Sequence, residues 1–156
     1  MTISACMKRK VISIPASASI GDAVGILIDK HIGLLPVVDA HSRPVGVLGM
    51  RELVSLALPS FVDLIADLDF LHDFGAVENS HPTAEILTRP VTALMKPATT
   101  VKENCGLLRA YAFMLQHKLH DLPVVNEQGA LTGIASRVDV GTAILSSWQT
   151  RTDASP

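Results

Sequence analysis

The chain has 156 residues, a formal net charge of −2 and 48% apolar residues, enough for one compact domain or two small ones sharing a core. No uncharged apolar run approaches the roughly 18 residues of a membrane span, so the positive mean hydropathy points to buried strands and a subunit interface. No basic stripe or aromatic-interleaved patch is present, which argues against a nucleic-acid partner.

The opening "MTISACMKRKVISIPASASIG" has the basic start of a secretory signal, but Pro15 cuts its apolar run well short of the roughly 7 to 15 residues such a signal needs. It reads instead as an ordinary first strand, and the chain as cytoplasmic. Cys6 and Cys105 stand alone, without a CxxC spacing, so reduced thiols are expected rather than a disulfide framework or zinc site.

In chain order, "VISI" is a short β-branched strand. The spacing of Ala23, Ile26 and Leu27 predicts a helix from about Ile20 to Ile32 with a wide buried face. "LPVVD" is short and apolar, as a buried strand is. "AHSRP" supplies turn residues, "VGVLG" returns as a hairpin partner, and "RELVSLAL" is a closing helix stopped by Pro59. From Pro59 to Thr88 there are six acidic residues and no Lys or Arg. Within that stretch Ser60 and Asp63 are spaced to box the start of a helix reaching about Phe74. It is expected as a connector, with a lid or a partner-docking helix as the sharper reading.

The pattern then repeats. "TTV" precedes a helix from about Cys105 to Leu119 with Leu107, Tyr111, Met114 and Leu115 inward. "LPVVN", the turn "EQGA", "LTGIAS" and the helix "VDVGTAILSSW" follow. An offset of 87 residues aligns Pro36 with Pro123, Ser13 with Thr100, Ile14 with Val101, Ala23 with Ala110, Gly46 with Gly133 and Glu52 with Asp139. Internal repetition of this kind signals stacked units. A unit of about 50 residues cannot cover both faces of a three-stranded sheet alone. The expected fold is therefore α/β (α+β): two strand-helix-strand-strand-helix repeats over residues 1–58 and 91–149, related by a pseudo-two-fold axis. An acidic insert at 59–90 joins them and a polar tail at 150–156 ends the chain. Such stacking leaves clefts between the copies.

The order "TV", then "HDLPVVNEQGALTGIASRVDV", resembles a cystathionine beta-synthase (CBS) domain, and the tandem pair resembles a Bateman module, over about residues 7–58 and 91–149. The resemblance implies a small regulatory module binding AMP, ADP, ATP or another adenosyl compound between the copies. It implies that Asp139 accepts the ribose hydroxyls and Ser136 faces phosphate with Arg137 beside it. It places Thr100 and Val101 near base or sugar, and His120, Asp121, Leu122 and Pro123 along the adenine edge. A carboxylate suits a ribose diol because one anion accepts from both hydroxyls. The spacing S-x-x-D is equally a helix capping box, in which Ser136 and Asp139 satisfy each other.

The first copy departs from this pattern. Gly49 stands where Ser136 does, Glu52 replaces Asp139, and Leu34 replaces Asp121. A weaker second site is expected there, from Ser13, Ile14, Leu34, Leu35, Gly49, Arg51 and Glu52. His117 and His120 have a metal-compatible spacing but no third ligand, so no metal and no cofactor are expected, and the remaining histidines read as surface or turn residues. There is no phosphate-binding loop, dinucleotide fingerprint or nucleophile elbow, and no catalytic activity is expected. The partners expected are an adenosyl small molecule, a second copy of the chain through "LVSLAL" and "VGTAIL", and a separate effector protein. The alternative is a ligand-free dimerisation or docking module acting through the acidic insert.

Overall fold

The computed structural model describes residues 1–58 and 80–152, without the side chains of 150–152. The helix expected from Ser60 to about Phe74 and the last residues of the tail lie outside them. The first repeat contains β1 (Ile14–Pro15), α1 (Ile20–Lys30), β2 (Leu34–Val38), β3 (Pro44–Gly49) and α2 (Met50–Ser55). A short α3 (Ala84–Thr88) leads into the second repeat, made of β4 (Val101–Lys102), α4 (Leu107–Gln116), β5 (Asp121–Val125), β6 (Leu131–Ser136) and α5 (Arg137–Thr152).

Each repeat folds into its own three-stranded sheet, in the orders β1-β2-β3 and β4-β5-β6, so both LPVV strands are central. A proline in a central strand removes a ladder donor, and the register shows how this is tolerated. Pro36 lies opposite Val47, and Val47 directs its N–H and C=O outward to Lys96, both at 2.9 Å. Pro36 and Val47 therefore form a pair that exchanges no hydrogen bonds. On the other flank, β1 pairs only with Val37 and Val38, so no strand asks for the missing N–H. Pro123 repeats the arrangement opposite Ile134, whose backbone bonds outward to Lys8 at 2.8 and 3.0 Å.

Two devices fix the hairpins and helices. The residue after each LPVV closes an Asx turn: Asp39 Oδ1 accepts from the backbone N–H of His41 (2.8 Å) and Arg43 (2.9 Å), and Asn126 Oδ1 from those of Gln128 and Ala130 (both 3.0 Å). Ser19 caps α1 in a reciprocal box with Asp22, each bond 3.0 Å. The first strands are shorter than "VISI" and "TTV" predict, because only Ile14–Pro15 and Val101–Lys102 run beside the central strand. The residues before them turn away into the walls of the clefts.

The cores do not follow the sequence halves. Ile3 and Met7, at the start of the chain, are buried with Leu107, Ala110, Met114, Leu122, Val124, Ala135 and Val140 of the second repeat. Val91, with Leu94 and Met95 against it, joins Ile14, Ala23, Leu27, Leu35, Val37 and Leu48 of the first. Each repeat thus completes the other's core with its leading segment. Two glycines admit the exchange: a Cβ on Gly133 would overlap the Met7 sulfur, and one on Gly46 would overlap the Met95 sulfur and lie 2.9 Å from the Lys96 carbonyl.

Candidate functional site

Exchange of the leading segments builds two clefts between the repeats. The larger, about 620 Å3, is lined by the end of the first hairpin, the segment before β4 and the turn between α4 and β5. Leu34, Val47, Pro97, Leu119 and Pro123 give it apolar walls. The start of α2 contributes Gly49, Arg51 and Glu52, and Lys96, His117, Lys118, His120 and Asp121 supply the other polar groups. The smaller cleft, about 400 Å3, is its pseudo-symmetric counterpart, lined by Lys8, Lys10, Val11, Ile12, His31, Gly33, Leu34, Asp121 and Ile134 among others. Leu34 and Asp121 line both clefts.

At the large cleft the Glu52 carboxylate accepts the Gly49 N–H at 2.9 Å, which fixes it at the start of α2. Met50 N–H bonds the Gly33 carbonyl at 2.9 Å. No described carboxylate lies within 4.0 Å of Arg51, Lys96 or Lys118. Three cations thus face a cavity whose two carboxylates are bound or half-buried. Lys118 is held there by a left-handed backbone (φ 54°) after α4, as His31 (φ 51°) is after α1. The ring of His117 rests on Phe113, centroids 4.4 Å apart. Among the described residues, no group of three His, Cys, Asp or Glu is placed to hold a metal.

The second copy's ending is arranged differently. Asp139 Oδ2 accepts from the Ser136 N–H (2.9 Å) and the Ser136 hydroxyl (2.8 Å), while Ser136 Oγ accepts the Asp139 N–H at 3.1 Å. The capping box is fully formed. Lys8 Nζ lies 3.9 Å from the same carboxylate oxygen. Arg137 donates from Nε to the Leu119 carbonyl at 2.6 Å and from its backbone N–H to His120 at 2.9 Å. Ser136, Arg137 and Asp139 line neither cleft. Half-buried Asp121, opposite Ser136 in the sheet, has its carboxyl raised above the ordinary range by burial, against the pull of His120 and Lys8 and with the help of Asp139. Burial and the charge of Asp139 also hold the Cys6 thiol up.

The residues named from sequence are therefore dispersed, with Ser136, Arg137 and Asp139 outside both clefts. His120, Asp121 and Pro123 meet Leu34, Gly49, Arg51 and Glu52 in the large cleft, while Leu122 and Leu35 are core. Thr100 and Val101 line a separate hollow with Lys102, Arg109 and Phe113, and Ile14 lines the matching hollow of the first repeat; Ser13 lines none of these. Lys96, Pro97, Thr99, Lys118, Lys8 and His31 went unnamed as site residues. One signal in the sequence locates two of them, Lys8 and Lys96: the doublet Met7-Lys8 recurs as Met95-Lys96, one residue out of step with the offset of 87.

Residues 3–58 and 84–146 match the CBS domain family. The chain belongs to that family. Its two repeats form a Bateman module, as the resemblance of the sequence implied. CBSX2, a chloroplastic CBS domain-containing protein of Arabidopsis thaliana, is 30% identical over 136 residues, 83% of this chain and 56% of that protein. The gamma-3 subunit of 5'-AMP-activated protein kinase from Sus scrofa is 31% identical over 143 residues, 88% of this chain and 24% of that subunit. The chain spans between about a quarter and just over half of these relatives' lengths. The crystal structure of CBSX2 in complex with AMP matches with a TM-score of 0.69 at 27% identity, over 93% of this chain and 96% of that one. The CBS-domain protein ATU1752 of Agrobacterium tumefaciens matches with a TM-score of 0.64 at 23% identity, over 92% and 99%, a likeness of fold alone.

Proposed function

We propose that this CBS pair is a regulatory module, without catalysis of its own, that binds an adenine nucleotide or adenosyl ligand between its repeats. The observation that carries the reading is the large cleft, whose apolar walls suit a purine and which is lined by the Glu52 carboxylate and by the cations Arg51, Lys96 and Lys118. A carboxylate accepts a ribose diol and cations meet an anionic phosphate, so the three parts of a nucleotide each find a partner. Membership of the CBS family and the AMP complex of a 27% identical relative support it.

The signal would arise because a ligand touching both repeats has different affinities for two packings of them, and it shifts their populations by that difference. The module acts in the cytoplasm as a homodimer read by a separate effector. Support for the dimer is that Leu108 and Leu115 of α4 and Val138 and Leu145 of α5 are exposed, Val138 by 74%, so these helices offer apolar surface to a second copy. A thermal-shift series with AMP, ADP, ATP, NAD and S-adenosylmethionine tests the binding. A true ligand at about 100 times its dissociation constant adds about 2.7 kcal/mol of stability; melting temperatures unmoved by all five would sink the reading and leave the ligand-free docking module.

A further inference from the structure

The two repeat endings, "GMRE" and "SRVD", place their arginine one position apart, and that shift changes which cleft is equipped. In the second copy the arginine follows Ser136 directly, and its side chain turns back to the Leu119 carbonyl at 2.6 Å. The serine hydroxyl and the aspartate satisfy one another, and Lys8, the leading-segment lysine, approaches that aspartate to 3.9 Å. Ser136, Arg137 and Asp139 are each hydrogen-bonded within the protein, and none of these three lines either cleft, although Lys8 lines the smaller one. In the first copy the arginine lies one residue later, as Arg51, and lines the large cleft with Glu52. Lys96, the counterpart of Lys8, has no described carboxylate within 4.0 Å.

We infer that the Glu52 cleft is the ligand site of this chain, that the Asp139 end is a structural cap, and that the site selects phosphorylated adenosines over the sulfonium S-adenosylmethionine. This rests on the nucleotide-binding reading above and adds which cleft is used and what charge it accepts. The lining cations Arg51, Lys96 and Lys118 outnumber the carboxylates Glu52 and Asp121. A phosphate gains charge-assisted hydrogen bonds from such a set, whereas a sulfonium, positive in every protonation state, meets like charge at short range. Glu52 is held by the Gly49 amide at the start of α2, and no described lysine or arginine nitrogen lies within 4.0 Å of its carboxylate, so it does not neutralise the cations by direct pairing.

Isothermal titration of the full chain with AMP, adenosine and S-adenosylmethionine tests this. The expected result is one AMP per chain, bound at least about tenfold more tightly than S-adenosylmethionine, with an affinity that falls as salt rises. Arg51→Ala and Lys96→Ala should each weaken AMP about tenfold or more while leaving adenosine within about twofold, a split that a merely structural role would not produce. Glu52→Gln should weaken AMP and adenosine alike. Asp139→Asn should lower the melting temperature of the unliganded protein and leave AMP affinity within about twofold. If Asp139→Asn abolishes AMP binding and Glu52→Gln does not, or if S-adenosylmethionine binds as tightly as AMP, the assignment is wrong while nucleotide binding stands. If none of the three compounds binds, the assignment falls, and the thermal-shift series with ADP, ATP and NAD decides whether nucleotide binding falls with it.

Discussion

Asp121 is the residue at which the two copies differ most in physical character. Its counterpart Leu34 is apolar, yet both occupy the same place between the clefts. Burial raises the Asp121 carboxyl, His120 and Lys8 draw it down, and Asp139 pushes it up again. An acid whose folded-state value lies above its unfolded value takes up a proton on folding. The charged form therefore costs stability above that raised value, and the cost fades as pH falls through it towards the unfolded value. Asp121→Asn removes the charge at every pH. It should raise the melting temperature of the unliganded protein at pH 7, by an amount that shrinks towards zero as pH is lowered into the ordinary carboxyl range. Thermal unfolding of both proteins across pH measures this; a gain that persists unchanged in acid would show that burial of charge is not the cause. The sequence shows Asp121 beside LPVV, but its surroundings include Ser136 opposite it in the neighbouring strand and the charge of Lys8, 113 positions earlier, and no local pattern carries that.

At the scale of elements, the leading segments and the hairpins they dock on are the least interchangeable parts. Gly133 and Gly46 are where the methionines Met7 and Met95 cross onto the opposite sheet. An added Cβ on Gly133 would have the flexible Met7 side chain as its nearest neighbour, whereas on Gly46 the backbone carbonyl of Lys96, at 2.9 Å, is among its nearest. Overpacking of this kind typically costs about 1–3 kcal/mol, and the backbone neighbour cannot move aside without breaking the Val47–Lys96 pairing. Gly46→Ala should therefore destabilise more than Gly133→Ala in denaturant unfolding. Adding Met7→Ala should relieve much of the Gly133→Ala strain, while Met95→Ala relieves only part of that at Gly46. Equal costs and equal relief would contradict the geometry. The elements themselves were legible: periodicity located α1 and α4, and the doubled LPVV located both central strands. Their partners were not, because the offset of 87 holds from Ile14 onward but the Met-Lys doublets are 88 apart. That single-residue slip conceals the pairing of each doublet with the other repeat, and with it the places of Lys8 and Lys96 in the two clefts. Likewise S-x-x-D suits either a ligand site or a helix cap, and the reciprocal bonds from Ser136 N–H to Asp139 Oδ2 and from Asp139 N–H to Ser136 Oγ show the box to be closed.

At the scale of the whole molecule, the exchange makes the repeats mutually dependent and joins ligand to packing. A ligand in the large cleft touches Arg51 and Glu52 of one repeat and Lys96 of the segment that completes the same repeat's sheet, together with the Lys118 turn of the other repeat. It therefore bears on the junction where the copies are interlocked, which is what a population shift between two packings requires. The interlocking itself has a test that no simple two-domain chain would pass. Ile3 is fully buried in the second repeat's core and Val91 in the first's. Truncating a buried isoleucine to alanine costs about 2–5 kcal/mol, a large part of the roughly 5–15 kcal/mol that holds a domain folded. Ile3→Ala should loosen the amides of β5 and β6 more than those of β2 and β3, although Ile3 lies more than a hundred residues from the strands it supports. Val91→Ala should do the reverse with a smaller loss. Native-state hydrogen exchange resolves the two sheets separately. Protection lost from the sheet of the same sequence half, in either variant, would mean that each repeat completes its own core; protection lost crosswise is the outcome the packing of Ile3 and Val91 requires.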